Sequence, residues 1–307
     1  MLLSAIGFLL DIRFLQSLVS VVETGSIISA ARREKLTSAA ISQRVQALER
    51  SLGTTLLVRH ARSVAPTEAC LLLLPRIRHL IREASLLRDD LDERQISGEM
   101  RIGAISTVMT GLMPDLLHTA AQVAPRLKLR LVPGTSLLLY EQLMQGHLDA
   151  ALLVEPPFVL PKSLKAVALH SEPLVLMTHD PVDQTRIRDR IEAGALIRYD
   201  PLSWGGRLAT AYLDRERLFP EVLCDMDALE AIAILVERGL GISLVPAWQG
   251  TNQKASGIHL TRLPDSESLA RQIVLLHPAT PARPKALALL CGLLVNGGRD
   301  ASIDEHL

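Results

Sequence analysis

The sequence predicts a mixed α/β chain: a small helical module at the N-terminus, one long helix, and an α/β body of two lobes. Three observations carry that prediction. The 307 residues exceed one ordinary domain and suit a small module plus a larger two-lobed one. The apolar residues recur at helical spacing to about residue 94, and then fall into short runs alternating with helical stretches. Charge divides the chain in the same way. Through Ala65 eight basic residues face four acidic ones, a net of +4, while the remainder carries 25 basic and 29 acidic residues.

A basic N-terminal module on a mildly acidic body fits a nucleic-acid partner for the first part alone. At 48% hydrophobic and 3% aromatic, the chain builds a large aliphatic core. Neither MLLSAIGFLL at the N-terminus nor the apolar run from Ala286 to Val295 is long enough to span a bilayer, so no membrane role is expected. Cys70, Cys224 and Cys291 are scattered, with no CxxC pair and no metal-ligand spacing. A reducing cytoplasm is the expected location, and neither a cofactor nor a metal is implied.

Asp11 can cap a first helix over Ile12 to Glu23, with Phe14, Leu15, Leu18, Val19 and Val22 on its inner face. Gly25 breaks it. Ser26 caps a second helix, in which Ala30 and Ala31 allow close packing. Thr37 or Ser38 caps a third, with Ile41, Val45, Leu48 and Leu52 as its apolar stripe. Ser38, Ala39, Ser42, Gln43 and Gln46 then fall on its other faces. Hydroxyls and amides bond base edges and phosphates, and an alanine can touch a thymine methyl, so this helix reads equally as a DNA-reading element or a plain solvated face. The compact preceding helix and short turn favour DNA. Gly53 ends the helix, and Leu56–Val58 and Val64–Ala65 predict a small hairpin, a wing, with Arg59 and Arg62 as candidate phosphate contacts. His60 has no metal partner in sight. Thr67 then caps a long helix running to about Arg94, with Leu71, Leu74, Ile77, Leu80, Ile81, Leu87 and Leu91 along it and Pro75 inside it. So long a stripe exceeds what the small module needs, and it predicts pairing with a second copy, with simple packing inside the chain as the alternative.

Together these residues resemble the winged helix-turn-helix of the LysR-type transcriptional regulators. The match runs through Gly25-Ser26, Ala30-Ala31, Thr37-Ser38, Ala40, Ser42, Leu48-Glu49, Leu52-Gly53, Leu56-Leu57, Arg59 and Pro66-Thr67-Glu68-Ala69. The chain departs from the family pattern at four places. Ser38-Ala39 replaces the common Gln-Pro, Leu57 a phenylalanine, Cys70 a glycine, and Glu34 an apolar residue. The resemblance implies a sequence-specific regulator of double-stranded DNA, acting as a homodimer through the linker helices or as a homotetramer. It also implies an effector domain similar to a type II periplasmic binding protein, which holds a small molecule between its lobes.

The body agrees with an α/β reading on its own residues. Strands are expected at Met100–Ala104, Leu127–Val132, Ala150–Val154, Ala195–Arg198 and Ile273–Leu276, and Arg238–Pro246 is expected to turn from a helix into a buried strand. Helices are expected around Leu112–Leu117, Ser136–Met144, Tyr212–Leu213, Met226–Glu237 and Pro284–Leu294. Val167–Leu169 and Leu174–Met177 mark the passage into a second lobe. Gly98, Arg101-Ile102-Gly103, Gly134, Gly146 and Val236–Pro246 continue the resemblance, which is sharper before Glu68 than after Gly98. The domains expected are residues 11–66, a linker at 67–96, and an effector domain at 97–307. Its first lobe is about 97–169 with 270–307, and its second about 170–269.

Gly239–Gly241 follows a helix and leads into a strand, the reverse of a dinucleotide fingerprint. Family analogy places the effector where helix N-termini meet the cleft between the lobes. Ser106, Thr107, Thr135 and Ser136 are the candidate hydroxyls there, suited to a carboxylate or other anion. Trp204 is a candidate stacking surface and Arg207 a countercharge. Simple capping and surface exposure weigh at least equally for each of these residues. No acid–base or nucleophile set has workable spacing, so an enzyme is not expected. The alternatives are a small-molecule-binding protein with a merely structural first module, and an architectural DNA binder without an effector response.

Overall fold

The computed structural model describes residues 11–59, 63–89, 96–248, 257–264 and 266–297. The chain divides into two compact units, residues 1–94 with 145–147 and residues 95–144 with 148–307.

The first unit opens with α1 (Ile12–Thr24), α2 (Ile27–Glu34) and α3 (Ser38–Leu52). The Asp11 carboxylate accepts from the Arg13 backbone N–H at 2.8 Å and caps α1. Gly25, at φ 64°, turns the chain in the left-handed region where a side chain would be strained. Between α2 and α3 the corresponding turn falls on Lys35, at φ 56° without a glycine's freedom. Leu15 and Leu18 of α1 pack with Val45 and Leu48 of α3, while Ala30 and Ala31 close against Val21 and Ile41. Next come β1 (Leu57–Arg59) and β2 (Val64–Pro66), an antiparallel hairpin in which Leu57 pairs with Pro66 and Arg59 with Val64.

The long helix α4 (Glu68–Asp89) begins where the Thr67 hydroxyl accepts from the Cys70 N–H at 3.1 Å. Its expected single stripe divides in two. Cys70 and Ile77 are buried in the unit's own core, whereas Leu71, Leu72 and Leu80 point outward at 54%, 79% and 43% exposure. Pro75 lies inside the helix and offers no N–H to the preceding turn. The expected end near Arg94, with Leu91, and residues 1–10 lie outside the described residues.

The second unit is built on two sheets. The first comprises β3 (Ser97–Ala104), β4 (Arg126–Pro133), β5 (Ala150–Val154), β6 (Leu164–Glu172) and β12 (Arg271–Pro278), in the order β4-β3-β5-β12-β6. Strands β3, β4 and β5 run parallel, and β12 is antiparallel to both its neighbours. The buried strand β5 is apolar throughout, while on the edge strand β4 the leucines alternate with exposed Arg126, Lys128 and Arg130. Helices α5 (Ser106–Thr110), α6 (Leu112–Val123), α7 (Ser136–Met144) and α11 (Pro284–Gly297) accompany this sheet.

Only Pro173 separates β6 from β7 (Leu174–Thr178), the centre of a second, antiparallel sheet with β10 (Ser243–Pro246) and β11 (His259–Arg262). A parallel pair, β8 (Leu196–Tyr199) and β9 (Val222–Met226), joins it through a bridge from Leu196 to Ile242. Helices α8 (Ile187–Ala193), α9 (Gly206–Glu216) and α10 (Leu229–Glu237) complete this lobe. The expected helix from Met226 is corrected here. Val222–Met226 is a strand, and the helix starts only at Leu229 after an extended Ala228. The turn at Gly239–Gly241 passes so near β8 that a Cβ on Gly241 would stand 2.4 Å from the Ala195 carbonyl oxygen.

Candidate nucleic-acid interface and effector cleft

The α3 face follows from its buried stripe. Ile41, Val45 and Leu48 are within 5% of full burial, which fixes the helix rotation and turns Ser38, Ala39, Gln43 and Gln46 into solvent, with Ser42 half-buried among them. Spacings of three and four residues bring these side chains to one surface. Thr37 and Ser26 are committed to capping. The Thr37 hydroxyl accepts from the Ala40 N–H at 3.1 Å and the Ser26 hydroxyl from the Ser29 N–H at 3.4 Å. Arg59 ends β1 at the far end of the hairpin; Arg62 and His60 lie outside the described residues.

Two interactions that hold this face were not legible as function. Glu49 of α3 accepts from the Leu56 and Leu57 N–H groups at 2.8 and 3.1 Å, fastening the hairpin to the helix. Its only sequence signal was membership of the Leu48-Glu49 pair. Glu34, in the position where an apolar residue was expected, accepts from the Ser17 hydroxyl at 2.8 Å and from Arg44 at 3.4 Å. A polar triad of α1, α2 and α3 thus replaces an apolar contact.

In the second unit a cavity of about 530 Å³ lies between the two sheets. Ser106, Thr107, Thr135, Ser136 and Trp204 line it together. Arg207 does not: it stands exposed on the first turn of α9, outside the lining. The cation of the cleft is Arg271, which was not among the residues expected from the sequence. The hydroxyls are partly committed. Thr135 accepts from the Leu138 N–H at 3.3 Å and Ser136 from the Val154 N–H at 3.2 Å.

The loop that delivers Trp204 is tightly wound. Ser203 donates to the Asp200 carbonyl at 2.9 Å and accepts from the Gly206 N–H at 3.0 Å. A Cβ on Gly206 would meet the Asp200 carbonyl oxygen at 2.0 Å, so only glycine fits there. The Trp204 ring meets Phe158 edge-on at 5.6 Å and Tyr140 at 6.0 Å, and those two meet at 5.2 Å.

Arg271 is buried at 3% exposure, and its Nε donates to Glu172 Oε2 at 2.6 Å. Burial pulls the guanidinium toward neutrality, but Glu172 and Tyr199 outweigh it and hold the proton more firmly than usual. Burial likewise pushes the Tyr199 phenol up. At the rim, desolvation raises the Asp227 carboxyl, opposed by the nearby Ser203 hydroxyl; Asp200 adds to the rise and Arg271 opposes it. This arrangement can bind and orient a small polar molecule. Among the described residues, no three His, Cys, Asp or Glu side chains gather as a metal site, and no helix is long and apolar enough to cross a membrane.

Comparison with known proteins gives the same two parts. Residues 12–71 match the family described as bacterial regulatory helix-turn-helix protein, lysR family, and residues 93–298 match the LysR substrate binding domain. The chain is 29% identical to the HTH-type transcriptional regulator TtuA of Agrobacterium vitis, over 97% of this chain and 99% of that one. It is 29% identical to the HTH-type transcriptional regulator IlvR of Caulobacter vibrioides, over 78% and 83%. Among solved structures, full-length OxyR from Pseudomonas aeruginosa superposes with a TM-score of 0.72 at 20% identity, covering 93% of this chain and 95% of that one. Full-length CbnR in complex with its target DNA gives 0.65 at 21%, covering 95% and 100%. At those identities the superpositions speak for the fold, and the family matches for the activity. With a helix-turn-helix at one end and an effector-binding α/β body at the other, this chain belongs to the LysR family of transcriptional regulators: sequence-specific DNA-binding proteins, not enzymes, modulated by an effector bound in the α/β domain.

Proposed function

We propose that α3 reads its operator from the major groove through Ser38, Ala39, Ser42, Gln43 and Gln46, with Arg59 and Arg62 on the phosphate backbone. The observation that carries this reading is the outward polar face of α3, opposite a stripe buried to within 5%. Ser26 and Thr37 contribute as caps whose helix N-termini offer N–H groups to phosphates. Two copies associate along α4, whose Leu71, Leu72 and Leu80 have no cover within their own unit. In the test, a DNA fragment selected by the protein from a random pool is titrated against wild type, Ser42→Ala and Gln46→Ala by fluorescence anisotropy. Weaker and less selective binding with unchanged melting supports the reading, and unaltered affinity and selectivity in both variants sink it.

The effector occupies the cleft between the two sheets. Its volume, about 530 Å³, lies within the range of metabolite-sized sites. Thr135 and Ser136 at the start of α7 present hydroxyls and N–H groups to a carboxylate, beside Ser106 and Thr107, with Trp204 against the ligand's apolar side. Asp200 and Asp227 also line the cleft, and Arg271 is already neutralised by Glu172. A single carboxylate is therefore favoured over two, because a second would face like charge. Thermal-shift titrations with matched mono- and dicarboxylic acids test this: larger shifts from the dicarboxylic series overturn it.

A further inference from the structure

Arg271 stands where the chain passes between the lobes. Glu172 is the last residue of β6 and Arg271 the first of β12, and the two are register partners across the sheet. The ion pair therefore sits on both crossing strands at once. From that clamp the guanidinium reaches into each lobe. Its Nη2 donates to Thr107 Oγ1 at 3.1 Å, on α5 of the first lobe. Its Nη1 donates to Tyr199 Oη at 3.4 Å, at the end of β8 in the second.

Arg271, Glu172, Thr107 and Tyr199 are all buried to within 4%. At that burial hydrogen bonds are strong and directional. Because Glu172 grips the planar fork through Nε, the fork cannot turn to follow one lobe without leaving the other. The Tyr199 hydrogen bond is the longer of the two and so the first to yield. Tyr199 also abuts the loop that carries Trp204: a Cβ on Gly205 would stand 2.5 Å from the Tyr199 hydroxyl oxygen. A ligand that moves this loop therefore moves the phenol.

We propose that Arg271 is the positioning residue that couples occupation of the cleft to the angle between the lobes, holding Thr107 and Tyr199 together in the empty state and releasing Tyr199 when the loop at 200–205 moves. This rests on the reading of the cleft as the effector site. Coupling between two binding sites is reciprocal, so DNA can serve as the probe while the effector is unidentified.

Hydrogen exchange is measured across residues 196–206 and 271–278 of the full chain, with and without the selected DNA fragment. The proteins compared are wild type, Tyr199→Phe, and the double variant Arg271→Met/Glu172→Met. The double variant removes both charges together and so leaves neither buried alone. Tyr199→Phe deletes one hydroxyl and keeps the packing, which secures the test if the double variant does not fold. In wild type, DNA is expected to change exchange in both segments. In the variants that change is expected to shrink by about fivefold or more, with DNA still bound. A variant response equal to wild type overturns the role of Arg271 and leaves the cleft reading standing. A wild type without any response overturns the coupling itself, and the cleft reading is then judged by the thermal-shift titrations alone.

Discussion

The two units use the same polar side chains in opposite ways. In the first, Ser38, Gln43 and Gln46 stand outside on a helix whose rotation is set by its buried aliphatic stripe. In the second, Thr107, Ser136 and Arg271 are turned inward, and each is held by a named partner. A surface amide is cheap for the fold to lose and costly for recognition. A buried guanidinium is the reverse, because its removal leaves the Glu172 carboxylate buried with only His170 beside it, at 3.1 Å.

This contrast can be broken by experiment. The largest effect is expected from Arg271→Met alone, which should cost about 3–5 kcal/mol in chemical denaturation, while Arg271→Met/Glu172→Met recovers most of it. If the single variant were as stable as the double, the inward residues would be no different in kind from the outward ones. Next comes Gln46→Ala, expected to lose about 1–3 kcal/mol of discrimination between selected and scrambled DNA. Its own unfolding free energy should move by less than about 0.5 kcal/mol, read on the same denaturant curves. Thr37→Ala belongs to both categories: losing the cap on α3 should cost about 1 kcal/mol of stability, and DNA affinity falls with it. The smallest effect is on salt dependence. Neutralising Arg59 or Arg62 should lower the slope of log affinity against log salt by about one for each phosphate left without its cation, and sequence preference should stay as it is.

Much of the first unit was legible because its information is local. Ile41, Val45 and Leu48 mark the buried face of α3 within two turns, and Gly25, Thr37 and Gly53 mark boundaries at the positions they occupy. The cleft was only half legible. Ser106 and Thr107 follow a strand and Thr135 and Ser136 open a helix, which are local patterns visible in the sequence. Arg271 was missed because its partners lie 99, 72 and 164 residues away, at Glu172, Tyr199 and Thr107. Arg207 was chosen in its place for nearness in sequence to Trp204, but two glycines and the first turn of α9 carry it off to the surface. Strand β9 escaped notice because Val222 and Leu223 are both exposed, so its pattern lacks the alternation that betrays β4. Glu34 looked like a misfit until Arg44, ten residues on, supplied its countercharge.

The alternation on β4 has a consequence for how the protein behaves in a crowded solution. This strand closes one edge of the five-stranded sheet, and its free edge could template another chain. Arg126, Lys128 and Arg130 set a cation at every second position along it, so two such edges repel before their backbones can align. A variant with all three changed to threonine, a good strand former, would keep the fold and lose that guard. Its fate at high concentration should be sheet-rich aggregation, at a temperature where the parent chain stays dispersed.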